Sequence, residues 1–402
     1  VSKMQSLGSL DNVAGRFAEW SKARAKRIEN SYLAPLPLST HSGSISVQNS
    51  VMLLDHLRGG ATYYPLDSPA KWPSLQNEVI GLRQSTLADL TLRSESSCKE
   101  SSKSAYEMRQ IFSTDLATRR RLMTHPAMII WLQQTVRILQ TEGLASKGAV
   151  RQFEQFAEVR DRCLSGEDSK HYIVAGSVQV RRYHVDPLIT AVAPPTFDFP
   201  ANPEDIGDEQ RATASRVYPL DFFTEVAEIA LEQVATTWPE LGSMFPRFVH
   251  TLIHVPDGTF RSASAARYSG VVFLSSDDAT LLDLEESLVH EFGHQVLYWI
   301  MELDPLFLND DNTEFELPWS GAERDFYGFY HAFYIYILLA HYYQRVALLR
   351  PPCREKALDR LREITDGLES AILQIQSIGN FTQHGQLFTE NICTAARAVM
   401  SK

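Results

Sequence analysis

The chain has 402 residues, of which 44% are hydrophobic, 10% aromatic and 22% charged. That is enough apolar surface for one large or two modest packed cores, and it is not the composition of a disordered chain. With 38 Lys and Arg against 49 Asp and Glu, the formal net charge is −11, which argues against a nucleic-acid binder and against a protein held on an anionic membrane surface. The four cysteines, at 98, 163, 353 and 393, form no CxxC pair. A disulfide framework and a thiolate zinc knuckle are therefore not expected, and a reducing, cytoplasmic setting is. The opening VSKMQSLGSLDNVAG has no basic stretch followed by an apolar one, so no secretion signal is expected there.

In chain order, residues 1–165 are predicted as a helical region. Residues 10–32 carry apolar positions at helical spacing. Residues 63–75, with three prolines, are expected to be irregular, and 76–143 to divide into two or three helices. The serine-rich stretch at 94–104 is expected to be a solvated turn of helix or a loop, with no function of its own. From residue 171 the character changes. HYIVAGSVQVRRYH alternates and predicts a strand, and a proline-rich, acidic connector follows it. A helix over 221–237, a strand over 248–255 and a second apolar strand over 270–274 come next. AFYIYILLA at 332–340 lies between His331 and His341 and falls far short of the roughly 20 residues needed to span a bilayer, so it predicts a buried helix.

The strongest chemical signal is His290-Glu291-Phe292-Gly293-His294, an HExxH motif. Chance produces this pattern on the order of 0.02 times in a chain of this composition. On a helix the two histidines lie one turn apart on one face and can bind a single metal, with Glu291 beside them as a base for water. Thr280 and Asp283 have capping-box spacing, and Leu284, Leu288, Phe292 and Val296 repeat every fourth residue, so a helix with a buried face is predicted. Ile300 stands where the longer HExxHxxGxxH pattern needs a histidine, so the third ligand must come from elsewhere.

Two downstream residues are candidates for that ligand. Glu323 would complete a His2Glu site, and His331 a three-histidine site. His331 is preferred, because it sits among Phe329, Tyr330, Ala332 and Phe333, where an unpaired imidazole would be costly, whereas Glu323 lies in a loop-like stretch. Tyr327 and Tyr330 are candidate donors to a developing oxyanion. His184 with Asp186, and the pair His250 and His254, are expected to be structural. Among familiar motifs, GxSxG, a GxGxxG after a strand and a P-loop are all missing from the sequence.

The blocks FLSSDD (273–278), LVHEFGH (288–294) and PWSGAERDFYGFYHAFY (318–334), and more weakly THPAMIIWLQ (124–133), resemble the HExxH-motif family of peptide-modification proteins from bacterial ribosomal-peptide (RiPP) biosynthesis clusters. Trp319, Arg324, Gly328 and His331 match the family pattern by position, while Ser320 and Asp325 stand where Arg and Pro are usual. Some members resemble iron(II), 2-oxoglutarate-dependent hydroxylases that act on side-chain β-carbons of peptides. The resemblance therefore implies Fe(II) and 2-oxoglutarate as cofactors and a precursor peptide as partner. The oxygenase needs a cation for the distal carboxylate of the keto acid. Arg324, about two turns before His331 if that stretch is helical, is the first choice and Arg267 the second. The alternatives are a zinc metallopeptidase with Glu291 as general base and a metal-stabilised peptide-binding scaffold. The expected fold is α+β and mainly helical: a helical region over 1–165, then a zincin-like metal domain over 166–402 whose small sheet flanks the HExxH helix.

Overall fold

The computed structural model describes residues 55–65, 71–97, 101–165, 172–174, 177–182, 219–255, 261–275, 280–307, 314–377 and 381–401. The expected helix at 10–32, the connector after the first strands, and His184 with Asp186 lie outside these residues. The described chain is mostly helical with a small mixed sheet, the α+β, mainly helical class expected. It packs as two compact units, one of Leu38–Leu303 and one that includes Asp304–Lys402. The boundary expected near residue 165 lies inside the first of them.

The first unit begins with α1 (Lys71–Ser97), α2 (Ser101–Phe112), α3 (Leu116–Thr124), α4 (Pro126–Glu142) and α5 (Lys147–Leu164). Among the described residues, 76–143 thus carry four helices rather than two or three. The irregular stretch expected up to residue 75 is also cut short, because α1 starts at Lys71 with Pro73 in its first turn. A proline there has no helical N–H to forfeit. The serine-rich stretch is corrected too. It contributes the end of α1 and the start of α2, and Ser94 and Ser104 are both buried rather than solvated. Asp115 and Ser146 cap α3 and α5, accepting from the amides of Thr118 and Ala149 at 2.9 and 3.0 Å. Leu87, Met108, Met128, Trp131, Phe153 and Phe156 are at the centre of the core that these helices share.

The strands β1 (Tyr172–Ile173), β2 (Val178–Arg182), β3 (Thr251–Val255), β4 (Ser262–Ala263) and β5 (Val271–Ser275) form one sheet in the order β1-β2-β3-β5-β4. The alternating stretch at 171–184 therefore makes two antiparallel strands, with Tyr172 opposite Gln179. Strands β2, β3 and β5 run parallel, with Thr251 opposite Val271, and the edge strands β1 and β4 are antiparallel to their neighbours. Every residue of β3 and β5 is buried, the pattern of central parallel strands covered on both faces. Helices α6 (Leu220–Thr237) and α7 (Pro239–Phe248) precede β3. The strand expected from 248 starts only at Thr251, because Phe248 still belongs to α7 and the amide of Val249 closes that helix on the Phe245 carbonyl.

The long helix α8 (Leu281–Leu303) carries the HExxH motif and is buried over most of its length. Thr280 and Asp283 pair at its N-terminus as their spacing predicts, although the Asp283 carboxylate meets the threonine hydroxyl rather than its backbone amide. Thr280 Oγ1 donates to Asp283 Oδ2 at 2.7 Å and accepts from the Asp283 amide at 3.3 Å. Gln295, fully buried, pins α8 to the sheet. Its Oε1 accepts from the Gly270 amide at 2.7 Å and its Nε2 donates to the Val271 carbonyl at 3.1 Å. Gly270 has φ of +89°, and a β-carbon there would press on Pro126 Cγ at 3.3 Å, so glycine suits both the turn and the close approach. The far end of α8 is tied to α1 and α3 by Arg83, which is 2% exposed. Arg83 grips Glu302 with two bonds of 2.7 Å, donates to the Met123 carbonyl at 2.8 Å and lies over the Trp299 ring at 4.7 Å.

The second unit is organised on α9 (Phe326–Leu349), whose residues 333–335 and 337–340 are all buried, as expected of AFYIYILLA. Helices α10 (Arg354–Gln376) and α11 (Gln383–Met400) pack against it. A hairpin of β6 (Glu314–Glu316) and β7 (Glu323–Asp325) precedes α9, with Phe315 opposite Arg324. At its tip Trp319 stacks on Tyr336 at 4.0 Å and donates to the Ile364 carbonyl at 2.9 Å, and it lies directly against Gly367, where no side chain would fit. Among the described residues, no helix is long and apolar enough to cross a membrane, and Cys163, Cys353 and Cys393 are free thiols.

Candidate metal centre

On α8 the helical period places Glu286, His290, His294 and Tyr298 on one stripe, each one turn from the next. The structure brings the two motif histidines together. Their Nε2 atoms are 3.2 Å apart and their rings meet at 62°, with both side chains partly exposed. Two nitrogens each about 2.0–2.1 Å from one ion, at a near-tetrahedral angle, would be separated by about 3.3 Å. The pair therefore fits a shared metal without rearrangement. Glu291, one residue on from His290, is 1% exposed, and its Oε2 has no hydrogen-bond partner among the described residues. A buried carboxylate oxygen left so costs about 1–3 kcal/mol or more, which is the kind of expense associated with a functional group rather than a structural one. Two imidazoles are donors suited to Zn or Fe(II), and the buried carboxylate of Glu291 adjoins them.

His331, the expected third donor, is buried on the second turn of α9 in the other unit, its ring 4.3 Å from that of Tyr327. Glu323 is exposed on β7. Among the described residues, no set of three or more His, Cys, Asp or Glu side chains is gathered for a metal ion, so the pair on α8 is what the fold assembles by itself.

Arg324 is not on a helix two turns before His331. It lies on β7, and α9 begins only at Phe326, because Asp325 caps that helix by accepting from the Gly328 amide at 2.8 Å. Burial pushes the Asp325 carboxyl above its usual range, while the cap and Arg324 pull it back. Arg324 packs its stem against Gly328 and donates one guanidinium N–H to the Glu323 carbonyl at 2.9 Å. Arg267 lies in the short 3-10 turn Ala266–Tyr268 of the first unit. Tyr327 is partly exposed in the first turn of α9. Tyr330 is corrected as an oxyanion donor: it is fully buried, its hydroxyl is 2.9 Å from Thr389 Oγ1, and burial raises its pKa far above the ordinary tyrosine value.

His250 and His254, both expected to be structural, lie against other rings. His254 is fully buried and stacks on Phe223 at 4.2 Å. His250 meets the ring of His125 at 4.6 Å, a neighbour the sequence offered no way to anticipate, and places Nδ1 2.9 Å from Thr251 Oγ1. His125 accepts from the Ala127 amide at 3.1 Å and so caps α4. Desolvation, joined by charge from Arg181 and Arg121, lowers His250 to about 4. Desolvation first, then His250 and the arginines, lowers His125 to about 2. Tyr298, Gln295 and Ser264, which organise the surroundings of the pair, carry no motif signal and were not singled out by sequence reasoning.

No protein-family model matches this chain, and no curated protein matches it in sequence.

Proposed function

We propose that this chain is a metal-dependent peptide-tailoring enzyme, an iron(II), 2-oxoglutarate-dependent oxygenase that hydroxylates a side-chain β-carbon of a ribosomally made peptide. The observation that carries the metal reading is the 3.2 Å approach of His290 and His294 Nε2 beside buried Glu291. The oxidative half rests on the resemblance of 288–294 and 318–334 to the peptide-modification family. The zincin-like reading of the fold rests on the small mixed sheet that leads into the HExxH helix. Free thiols suit the cytoplasmic setting that such a substrate implies.

His290 and His294 would each supply a ring nitrogen, with His331 as the proposed third donor and Glu323 as its alternative. Iron(II) held there would supply a site for the keto acid and for dioxygen. Arg324 has a guanidinium with donors beyond the one used on Glu323, and is assigned the distal carboxylate of 2-oxoglutarate, with Arg267 next in line. Glu291 would order polar groups beside the metal, and Tyr327 would be the donor to a developing oxyanion if the chemistry were hydrolytic.

One observation favours a second reading. The partnerless Oε2 of Glu291 is what a general base for water would present, so a zinc peptidase is the competing assignment. Metal analysis of anaerobically purified protein, followed by incubation with peptide, separates the two. The oxygenase yields succinate and a peptide heavier by one oxygen; the peptidase yields two fragments that together have gained one water. Full metal retention in His331→Ala with loss in Glu323→Ala would replace the three-histidine ligand set by His2Glu.

A further inference from the structure

The two imidazoles of an i, i+4 pair on a partly exposed helix face have other rotamers open to them, so something must hold their Nε2 atoms 3.2 Å apart. The next residue on the same stripe is Tyr298. Its ring stacks on His294 at 5.8 Å between centroids and 23° between planes. Tyr298 is itself held. It is 8% exposed, and its hydroxyl donates to the Ser264 carbonyl at 3.3 Å, on the segment that follows edge strand β4. That segment is fastened to α8 twice more, by Trp299 Nε1 on Ser269 Oγ at 2.9 Å and by Gln295 on Gly270 and Val271. The anchor under Tyr298 is therefore the sheet side of the unit and not a loose side chain.

We infer that Tyr298 is a positioning residue for the metal pair: braced on the Ser264 carbonyl, its ring fixes the orientation of the His294 imidazole so that its Nε2 faces that of His290. The inference rests on the metal reading above and adds a residue outside the HExxH motif to it. A planar neighbour restricts the imidazole to one ring plane, which reduces the entropy lost when a metal is captured, the role usually filled by hydrogen-bonded groups behind a ligand.

The test uses the full chain and cobalt(II) as the probe, with wild type, Tyr298→Phe and Tyr298→Leu compared by equilibrium titration and by the visible ligand-field spectrum. Tyr298→Phe keeps the stack and loses only the brace, so a loss of affinity of about 2- to 5-fold is expected. Tyr298→Leu loses both, and a loss of about 10- to 100-fold with a changed spectrum is expected, in the range seen when groups behind a ligand are removed. A purely structural role would lower the metal-free unfolding temperature of both variants and leave the spectrum of the bound ion unchanged. If wild type binds cobalt and both variants bind it as tightly, with the same spectrum, the positioning role is overturned while the metal pair stands. If wild type binds neither cobalt nor zinc, the metal reading itself falls and takes the inference with it. Should the leucine variant not fold, the phenylalanine variant decides alone, with an unchanged titration overturning the proposal.

Discussion

Replacing Arg83 by Met removes the guanidinium that joins α1 to the end of the HExxH helix and leaves a shorter, apolar thioether chain in its place. The arginine is 2% exposed and Glu302 17% exposed at the side chain, so the change leaves a largely desolvated carboxylate without its cation. Breaking one side of such a pair costs about 3–5 kcal/mol. The stranded Met123 carbonyl and the uncovered Trp299 face are part of that sum and not additions to it. The double variant Arg83→Met/Glu302→Leu removes the stranded charge as well. Only the unsatisfied Met123 carbonyl then remains, and the expected cost falls to about 1–3 kcal/mol. Urea unfolding followed by circular dichroism gives the stabilities, and hydrogen exchange over residues 296–303 reports the local end of the helix. The reasoning is refuted if Arg83→Met costs less than about 1 kcal/mol, or if the double variant is as unstable as the sum of the two single ones.

Further outcomes follow from the same structure. His125 and His250 are held neutral in the folded state at pH values where an unfolded histidine, with pKa near 6.5, is protonated. Their stabilisation is therefore present above pH 6.5 and is lost as pH falls, at up to about 1.4 kcal/mol per pH unit for each histidine, towards about 4 for His250 and lower for His125. Urea midpoints between pH 7 and pH 5 should fall less in a His250→Gln variant than in wild type, and equal slopes would contradict the assignment. Gly385→Ala would drive a methyl into the Leu306 carbonyl at the start of α11 and should destabilise by about 1–3 kcal/mol despite alanine's helix propensity. Gly81→Ala, in the middle of α1 with open space around it, should instead gain up to about 1 kcal/mol, both read from thermal unfolding. In activity assays of the oxygenase reading, Arg324→Ala should raise the 2-oxoglutarate concentration for half-maximal rate by roughly 30- to 150-fold, as expected for a charged pair of about 2–3 kcal/mol. Glu291→Gln with metal retained should abolish turnover only if the chemistry is hydrolytic.

The local parts of this protein were legible in the sequence because their causes are local. An HExxH on a four-residue apolar repeat, with Thr280 and Asp283 ahead of it, specifies a capped helix and two histidines on one face, and hydrogen-bond geometry delivers both. The run 332–340 is apolar on all sides and could only be a buried helix. What comes from distant residues was not legible. Serines at 94 and 104 read as solvated, since no residue nearby tells that helix packing will bury them. The alternation of 171–184 was real, but whether it makes one strand or two antiparallel ones depends on where the chain turns and on β3 as a partner. Arg324 would lie two turns before His331 only if the stretch between them were helical throughout. The cap formed by Asp325 and the pairing of β7 with β6 place it on a strand instead. The brace under His294, the Arg83 clasp and the facing of His125 and His250 join residues 34, 219 and 125 positions apart, respectively. Sequence periodicity carries no information over such distances; only the packed chain selects which polar groups meet, because a buried group must find its partner wherever the fold has brought one.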